Sequence, residues 1–307
     1  MKKITLIFIC LLAMKNVIQS QTVMPLYPEA IPNSKPTKDE ETSEVRPDGV
    51  VITGKISRPT LTIFLPEKDI SNGTAVIIFP GGGYRVNAST HEGTDVAKEF
   101  AKMGVAGIVV KYRIPNIETM IDKEIGPLQD AQQAIKTVRE KAAEWNVNPA
   151  RIGIMGFSAG GHLASTAGTQ YKKITINNKN NTSLRPDFML LIYPVISLYD
   201  TTIAHKGSGE QLLGKNAPAI KLKEYSAELN VTNQTPPAFL VHASDDKSVS
   251  PKNSTRFYEA LLQHNISAEL HIYQSGGHGF GMNIKNSDEK WMERCKNWLS
   301  INGWLKK

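Results

Sequence analysis

Residues 151–164 pass from an apolar run, Arg151-Ile-Gly-Ile-Met155, through Gly156-Phe-Ser158-Ala-Gly160 and directly into small and apolar residues of helical character. Few architectures accommodate a strand that becomes a helix within five residues, with a glycine on each side of one serine. Such a turn holds the serine strained at its tip, and the flanking glycines are needed where strand and helix approach too closely for a Cβ. The hydroxyl then emerges at the edge of a sheet and at a helix N-terminus, where backbone N–H groups favour developing negative charge. Ser158 is therefore the candidate nucleophile. A phosphate-binding loop is disfavoured, because no Gly-Lys-Ser/Thr ending follows.

The rest of the chain repeats this alternation, which specifies an α/β fold with a mostly parallel central sheet and helices on both faces. Strands are predicted at Val50–Lys55, Leu61–Leu65, Ala75–Phe79, Val105–Tyr112, Arg151–Met155, Phe188–Tyr193, Ala238–Ala243 and Ala268–Tyr273. The first two, joined through Ser57-Arg58-Pro59, are expected to form an antiparallel hairpin at the sheet edge. Helical patterns occupy Gly93–Lys102, Pro127–Trp145, Gly160–Gly168, Ser254–His264 and Asp288–Ser300. Between about 197 and 235 the alternation fails, and short helical pieces end at Pro236-Pro237. This insertion is expected to form a small cap over the carboxyl ends of the strands, where ligands bind in such sheets. With 40% hydrophobic and 21% charged residues and no internal linker, 21–307 reads as a single domain.

The chain opens with Met-Lys-Lys, an apolar stretch from Ile4 to Met14 and a polar end at Asn16–Ser20, the pattern of a signal peptide cleaved near Ser20. A secreted or periplasmic protein without stable membrane insertion is expected, since the apolar run is too short to span a bilayer comfortably. Cys10 lacks the small residues that precede a lipidated cysteine. Loss of Lys2, Lys3 and Lys15 would lower the formal charge by three, from +7 to +4. A surplus that small, with no basic run interleaved with aromatics, argues against a nucleic-acid partner. Of the two cysteines only Cys295 would remain, reading as a helix core residue with no disulfide.

Three further segments complete a catalytic constellation. The strand Ala238–Ala243 runs into Asp245-Asp246, where an orienting acid should follow the nucleophile in chain order. Asp246 is favoured because it stands three residues before Val249; Asp245 is the alternative, otherwise a turn or capping residue. His278, within Ser275-Gly-Gly-His-Gly-Phe-Gly281, is the one histidine in a glycine-rich loop after the last strand and so the candidate general base. Pro80-Gly-Gly-Gly83 follows an earlier strand, and the N–H groups of Gly82, Gly83 and Ala159 are the candidate oxyanion donors. His162, His242, His264 and His271 read as structural, while His91 and Glu92 either line the pocket or cap a helix. No His-Glu-x-x-His or cysteine pair suggests a metal site, and no cofactor is expected.

Pro80–Tyr84, Asn148–Ala164, Pro236–Asp246 and Gly276–Gly281 together resemble the bacterial α/β-hydrolase esterases that include acetyl esterases and acetylxylan esterases. The resemblance runs from about Leu61 to the C-terminus. It implies a carboxylic ester hydrolase that removes short acyl groups, chiefly acetyl, from sugars or polysaccharide, without metal or organic cofactor. Where such proteins often carry arginine in the long helix, this chain has Gln133 after Asp130, which bears on a packing contact and not on the triad. The competing readings are a secreted serine peptidase of the same fold, which would be expected to add a large second domain, and a non-catalytic binding module.

Overall fold

The computed structural model describes residues 21–285 and 287–306, so the leader expected over 1–20 lies outside the described residues. Its elements in chain order are β1 Gln21–Pro25, β2 Thr42–Val45, β3 Val51–Gly54, β4 Thr60–Phe64, β5 Ala75–Phe79, β6 Val86–Ala88, α1 Asp95–Lys102, β7 Ala106–Lys111, α2 Gly126–Glu140, β8 Ile152–Phe157, α3 Ala159–Thr169, β9 Met189–Ile192, α4 Lys206–Leu213, α5 Ala219–Glu224, β10 Ala238–Ala243, α6 Lys252–Gln263, β11 Ala268–Tyr273 and α7 Trp291–Ile301. Eight strands form one sheet in the order β1-β4-β7-β5-β8-β9-β10-β11. From β7 to β11 every pairing is parallel, and the antiparallel pairs β1–β4 and β4–β7 close one edge.

Side chains alternate across each strand, so adjacent residues serve opposite faces. Ile77, Ile154, Leu191 and Leu240 join the core beneath α2, α3 and α6. Val76, Ile78, Met155 and Phe239 join the core beneath α1 and α7, to which buried Cys295 also belongs. Both faces are covered, which is why the central strands read as unbroken apolar runs.

The expected hairpin of Val50–Lys55 with Leu61–Leu65 does not form. The edge of β4 that it would need is taken by β1, in a register from Gln21↔Phe64 to Pro25↔Thr60. β3 instead lies between β2 and β6 in a separate three-stranded antiparallel sheet. Lys55, at φ 51°, turns the chain out of that sheet, and buried Ile56 then enters the main core. A hairpin would have left Ile56 and the β1 segment without these partners.

One buried ion pair secures the N-terminal segment. The Arg113 guanidinium meets Asp130 at 2.8 Å, with both side chains essentially inaccessible. The Tyr27 hydroxyl donates to Asp130 at 2.9 Å, and Arg113 Nη1 donates to the Pro32 carbonyl at 2.7 Å. Gln133 is not part of this cluster; it donates to Thr137 one turn along α2.

Between β9 and β10, α4 and α5 form the irregular segment expected over 197–235. Gln211 bonds the Pro115 carbonyl, and the Tyr225 hydroxyl bonds the Glu124 carbonyl. Among the described residues, no helix is long and apolar enough to cross a membrane.

Candidate active site

Ser158 sits between β8 and α3 at φ 52°, ψ −118°, a left-handed conformation that is strained for a residue with a Cβ. The strain follows from close backbone approach. A Cβ on Gly156 would stand 2.1 Å from the Gly160 carbonyl oxygen, and one on Gly160 would stand 2.1 Å from that of Phe79. Gly160 therefore answers to the neighbouring strand end as well as to its own turn. The result places the Ser158 hydroxyl at the carboxyl end of the sheet.

The three residues singled out from the sequence come together there. The Ser158 hydroxyl lies 2.8 Å from His278 Nε2, and His278 Nδ1 lies 2.6 Å from Asp246 Oδ2. Pairing with the carboxylate puts the ring proton on Nδ1 and leaves Nε2 to accept from the serine. Asp246 Oδ1 accepts the N–H groups of Ser248 and Val249, each at 2.9 Å, which explains why a residue three before Val249 occupies this place. Burial opposes ionisation of Asp246, but hydrogen bonds from His242, His278 and Val249 and the charge of His278 outweigh it. They hold its carboxyl well below the usual carboxylate range.

Asp245 stands in the turn that follows β10, as expected, and has a further task. Its carboxylate accepts the Gly277 N–H at 2.8 Å and so anchors the loop that carries His278. His242 is fully buried behind Asp246. Its Nε2 faces Asp246 Oδ2 at 3.2 Å and the Val249 carbonyl at 3.0 Å, and its Nδ1 accepts from Ser254. His162 accepts from the Tyr84 hydroxyl at 2.8 Å and donates to the Tyr225 carbonyl at 2.7 Å. Burial pushes its pKa down to about 4, which keeps it neutral as it ties α3 to the glycine loop and to the segment after α5. His271 pairs with Glu269 on the edge strand, and His264 is exposed at the end of α6.

The glycine loop spends its own hydrogen bonds selectively. Arg85 and Val86 donate to the Gly82 carbonyl, Ala88 donates to that of Gly81, and the Gly81 N–H donates to Glu92 at 2.8 Å. Among the described residues no acceptor is recorded for the N–H groups of Gly82 and Gly83. Gly82 adopts φ 133°, and a Cβ there would stand 2.1 Å from the Val86 carbonyl oxygen; Gly83, at φ 64°, faces open space. The Ala159 N–H begins α3 directly after the serine.

Glu92 and Tyr193 were not legible as partners. Glu92 precedes α1 in a π-helical turn, Thr90–Thr94, and neither caps a helix nor lines an open pocket. It is buried and accepts from Gly81 and, at 2.7 Å, from the Tyr193 hydroxyl. That hydroxyl also accepts the Gly281 N–H at 2.9 Å, while the Tyr193 ring lies 5.0 Å from the His278 ring. Burial first, and then the charge of Glu92, keep the Tyr193 phenol protonated. His91 is half-buried and lies against Gly281.

A mostly parallel sheet wound on both faces, with its serine on a strained turn between β8 and α3, is the α/β-hydrolase fold. Within that class the chain belongs to the BD-FAE family, whose model matches residues 61–261. The chain is 37% identical over 246 residues to an acetylxylan esterase of Xylanibacter ruminicola, covering 78% of this chain and 47% of that protein. It is 32% identical over 223 residues to endo-1,4-beta-xylanase B of Butyrivibrio fibrisolvens, covering 72% of this chain and 34% of that protein. It therefore spans about half or less of the length of these curated relatives. The crystal structure of the acetyl ester-xyloside bifunctional hydrolase from Caldicellulosiruptor lactoaceticus superposes with a TM-score of 0.74 at 34% identity, covering 92% of this chain and 97% of that one.

Proposed function

We propose that the protein is an exported serine ester hydrolase that removes short acyl groups, principally acetyl, from carbohydrate. The observation that carries this reading is the continuous hydrogen-bonded line from Ser158 through His278 to Asp246 at the carboxyl end of the sheet. The names of the relatives, an acetylxylan esterase and a xylanase, support a carbohydrate ester as the substrate.

In this mechanism Ser158 Oγ attacks the ester carbonyl while His278 Nε2 takes the hydroxyl proton. The oxyanion is received by the N–H groups of Gly82, Gly83 and Ala159, of which one donor is typically worth about 3 kcal/mol in the transition state. Collapse breaks the bond to the sugar oxygen, which takes the proton from His278 and departs as a free hydroxyl, leaving Ser158 acylated. Water then attacks the acyl-enzyme with His278 again accepting a proton, and the acid departs as the serine is restored. Asp246 stays ionised, orients the ring and stabilises the imidazolium. Residues 1–20 direct export and are removed, 21–307 form the working domain, and the 197–235 segment caps the substrate side.

Ser158→Ala should lower kcat on a short-chain aryl acetate by roughly 10⁵-fold or more. Activity within tenfold of the wild type would refute the assignment of the nucleophile. Acetate release from acetylated xylan, set against longer acyl esters, tests the substrate class.

A further inference from the structure

Three residues beyond Gly82, the glycine loop reaches Arg85, whose backbone N–H donates to the Gly82 carbonyl at 3.0 Å. Its exposed side chain meets the insertion between β9 and β10. Arg85 Nη2 lies 3.8 Å from the point where a Cβ on Gly207 would stand, and His205 Cε1 lies 3.6 Å from the same point. His205 is held below its ordinary pKa chiefly by burial, to which the positive charge of Arg85 adds. Its Nδ1 accepts the Ser208 N–H at 3.2 Å, so the neutral ring carries its proton on Nε2, as a donor.

Beyond Arg85 opens a groove of about 680 Å³, lined also by Lys38, Ile114, Ile117, Lys123 and Gln211. That volume is far more than an acetyl group needs and is typical of a ligand pocket. Its charge is one-sided. Lys38, Lys55, Arg85 and Lys123 face it against Glu40 and Glu118, and Lys55 already pairs with Glu40 at 3.2 Å. Among the described residues, no carboxylate is recorded within ion-pair distance of Lys38, Arg85 or Lys123. The Lys123 ammonium is half-buried and, among the described residues, donates to the Gln211 carbonyl at 2.6 Å; burial lowers its pKa against the partly offsetting charge of Glu124, a cost that a bound anion would further relieve. Exposed Ile117 offers an apolar surface to the C–H face of a sugar ring.

We infer that this groove holds the sugar chain bearing the ester and selects an oligosaccharide with a carboxylate substituent, a uronic acid, which Arg85 and Lys38 recognise. The inference rests on the carbohydrate-ester reading above. A planar guanidinium with no protein carboxylate beside it is suited to bidentate recognition of such a group.

The test is calorimetric titration of the wild-type chain with two ester-free xylo-oligosaccharides, one carrying a single uronate side group and one neutral. The uronate form should bind at least about tenfold more tightly, the scale of one charge-assisted hydrogen bond. That preference should vanish in Arg85→Glu and Lys38→Glu and shrink at about 0.5 M salt. Arg85→Gln, which keeps a polar side chain, provides a second variant whose melting point can be matched to the wild type. Equal affinity for both oligosaccharides, or binding of neither, overturns the proposal. Hydrolysis of phenyl acetate is followed in parallel. Its absence in the wild type would count against the ester-hydrolase reading, whereas intact hydrolysis without uronate preference counts against the groove alone.

Discussion

The Tyr193 hydroxyl donates to Glu92 at 2.7 Å while accepting the Gly281 N–H at 2.9 Å, so one phenol joins the support of the glycine loop to the histidine loop. Glu92 in turn holds the Gly81 N–H, and Gly281 lies three residues after His278. Tyr193→Phe should therefore leave two buried groups short of a partner and cost about 1–3 kcal/mol of stability. If the two loops depend on this bridge for their alignment, kcat on an aryl acetate should fall about tenfold with little change in KM. An unchanged kcat in a folded variant would show that the loops are positioned independently.

Asp246 and Asp245 are separable by substitution. Asp246→Asn replaces the acceptor of the His278 Nδ1 proton and should lower kcat by about 10⁴-fold, because the ring would favour the wrong tautomer. Asp245→Asn keeps an oxygen for the Gly277 N–H and should cost less than about tenfold. Steady-state kinetics on both variants decides the matter; equal losses would remove the distinction drawn between them.

Gly82 and Gly83 both adopt positive φ but differ in the space around them. Gly82→Ala would force a Cβ onto the Val86 carbonyl and distort the loop, so near-complete loss of kcat is expected in a protein that still folds. Gly83→Ala meets no neighbour and carries only the left-handed backbone penalty of about 1 kcal/mol. A smaller kinetic effect at 82 than at 83 would contradict this placement of the donors.

His162 should make folding sensitive to acid. Its folded pKa of about 4 lies below the ordinary 6.5, so on acidification the unfolded chain takes up this proton first. Its contribution is complete above pH 6.5 and is lost as the pH falls from there toward 4. Between pH 7 and 5 the loss from this group should be about 2 kcal/mol in urea unfolding. His162→Gln should flatten the dependence by that amount, and parallel pH profiles would show that the proton is taken up elsewhere.

The Arg113–Asp130 pair provides a test of how the N-terminal segment is held. Asp130→Ala would leave a buried guanidinium without its counter-charge and should cost about 3–5 kcal/mol. Thermal or denaturant unfolding measures this directly; a loss under about 1 kcal/mol would mean that solvent reaches Arg113.

Ser158, Asp246 and His278 could be named before any coordinates because each lies in a short stretch whose local chemistry is distinctive: a serine between glycines at a strand-to-helix turn, an acid after an apolar strand, a histidine in a glycine-rich loop. The central strands were equally legible, since burial on both faces writes itself as a continuous apolar run. Glu92, Tyr193 and Asp245 were not, because an isolated acid or tyrosine carries no local signature of the backbone N–H it will meet. Tyr193 and Glu92 are 101 residues apart, and Asp245 and Gly277 are 32 apart.

The expected β3–β4 hairpin failed for a related reason. Adjacency in the chain favours a hairpin, but strand pairing is settled by which edges are free and which side chains need burial. Here β1 takes the edge of β4 and β3 joins β2 and β6. Alternation of apolar and polar residues, glycine at strained turns and the order of serine, acid and histidine belong to the sequence alone, because each acts within a few residues. Which edges pair, which carboxylate supports which loop, and where Arg85 meets the groove were decided only in three dimensions, because each depends on surfaces that exist only once distant segments have docked.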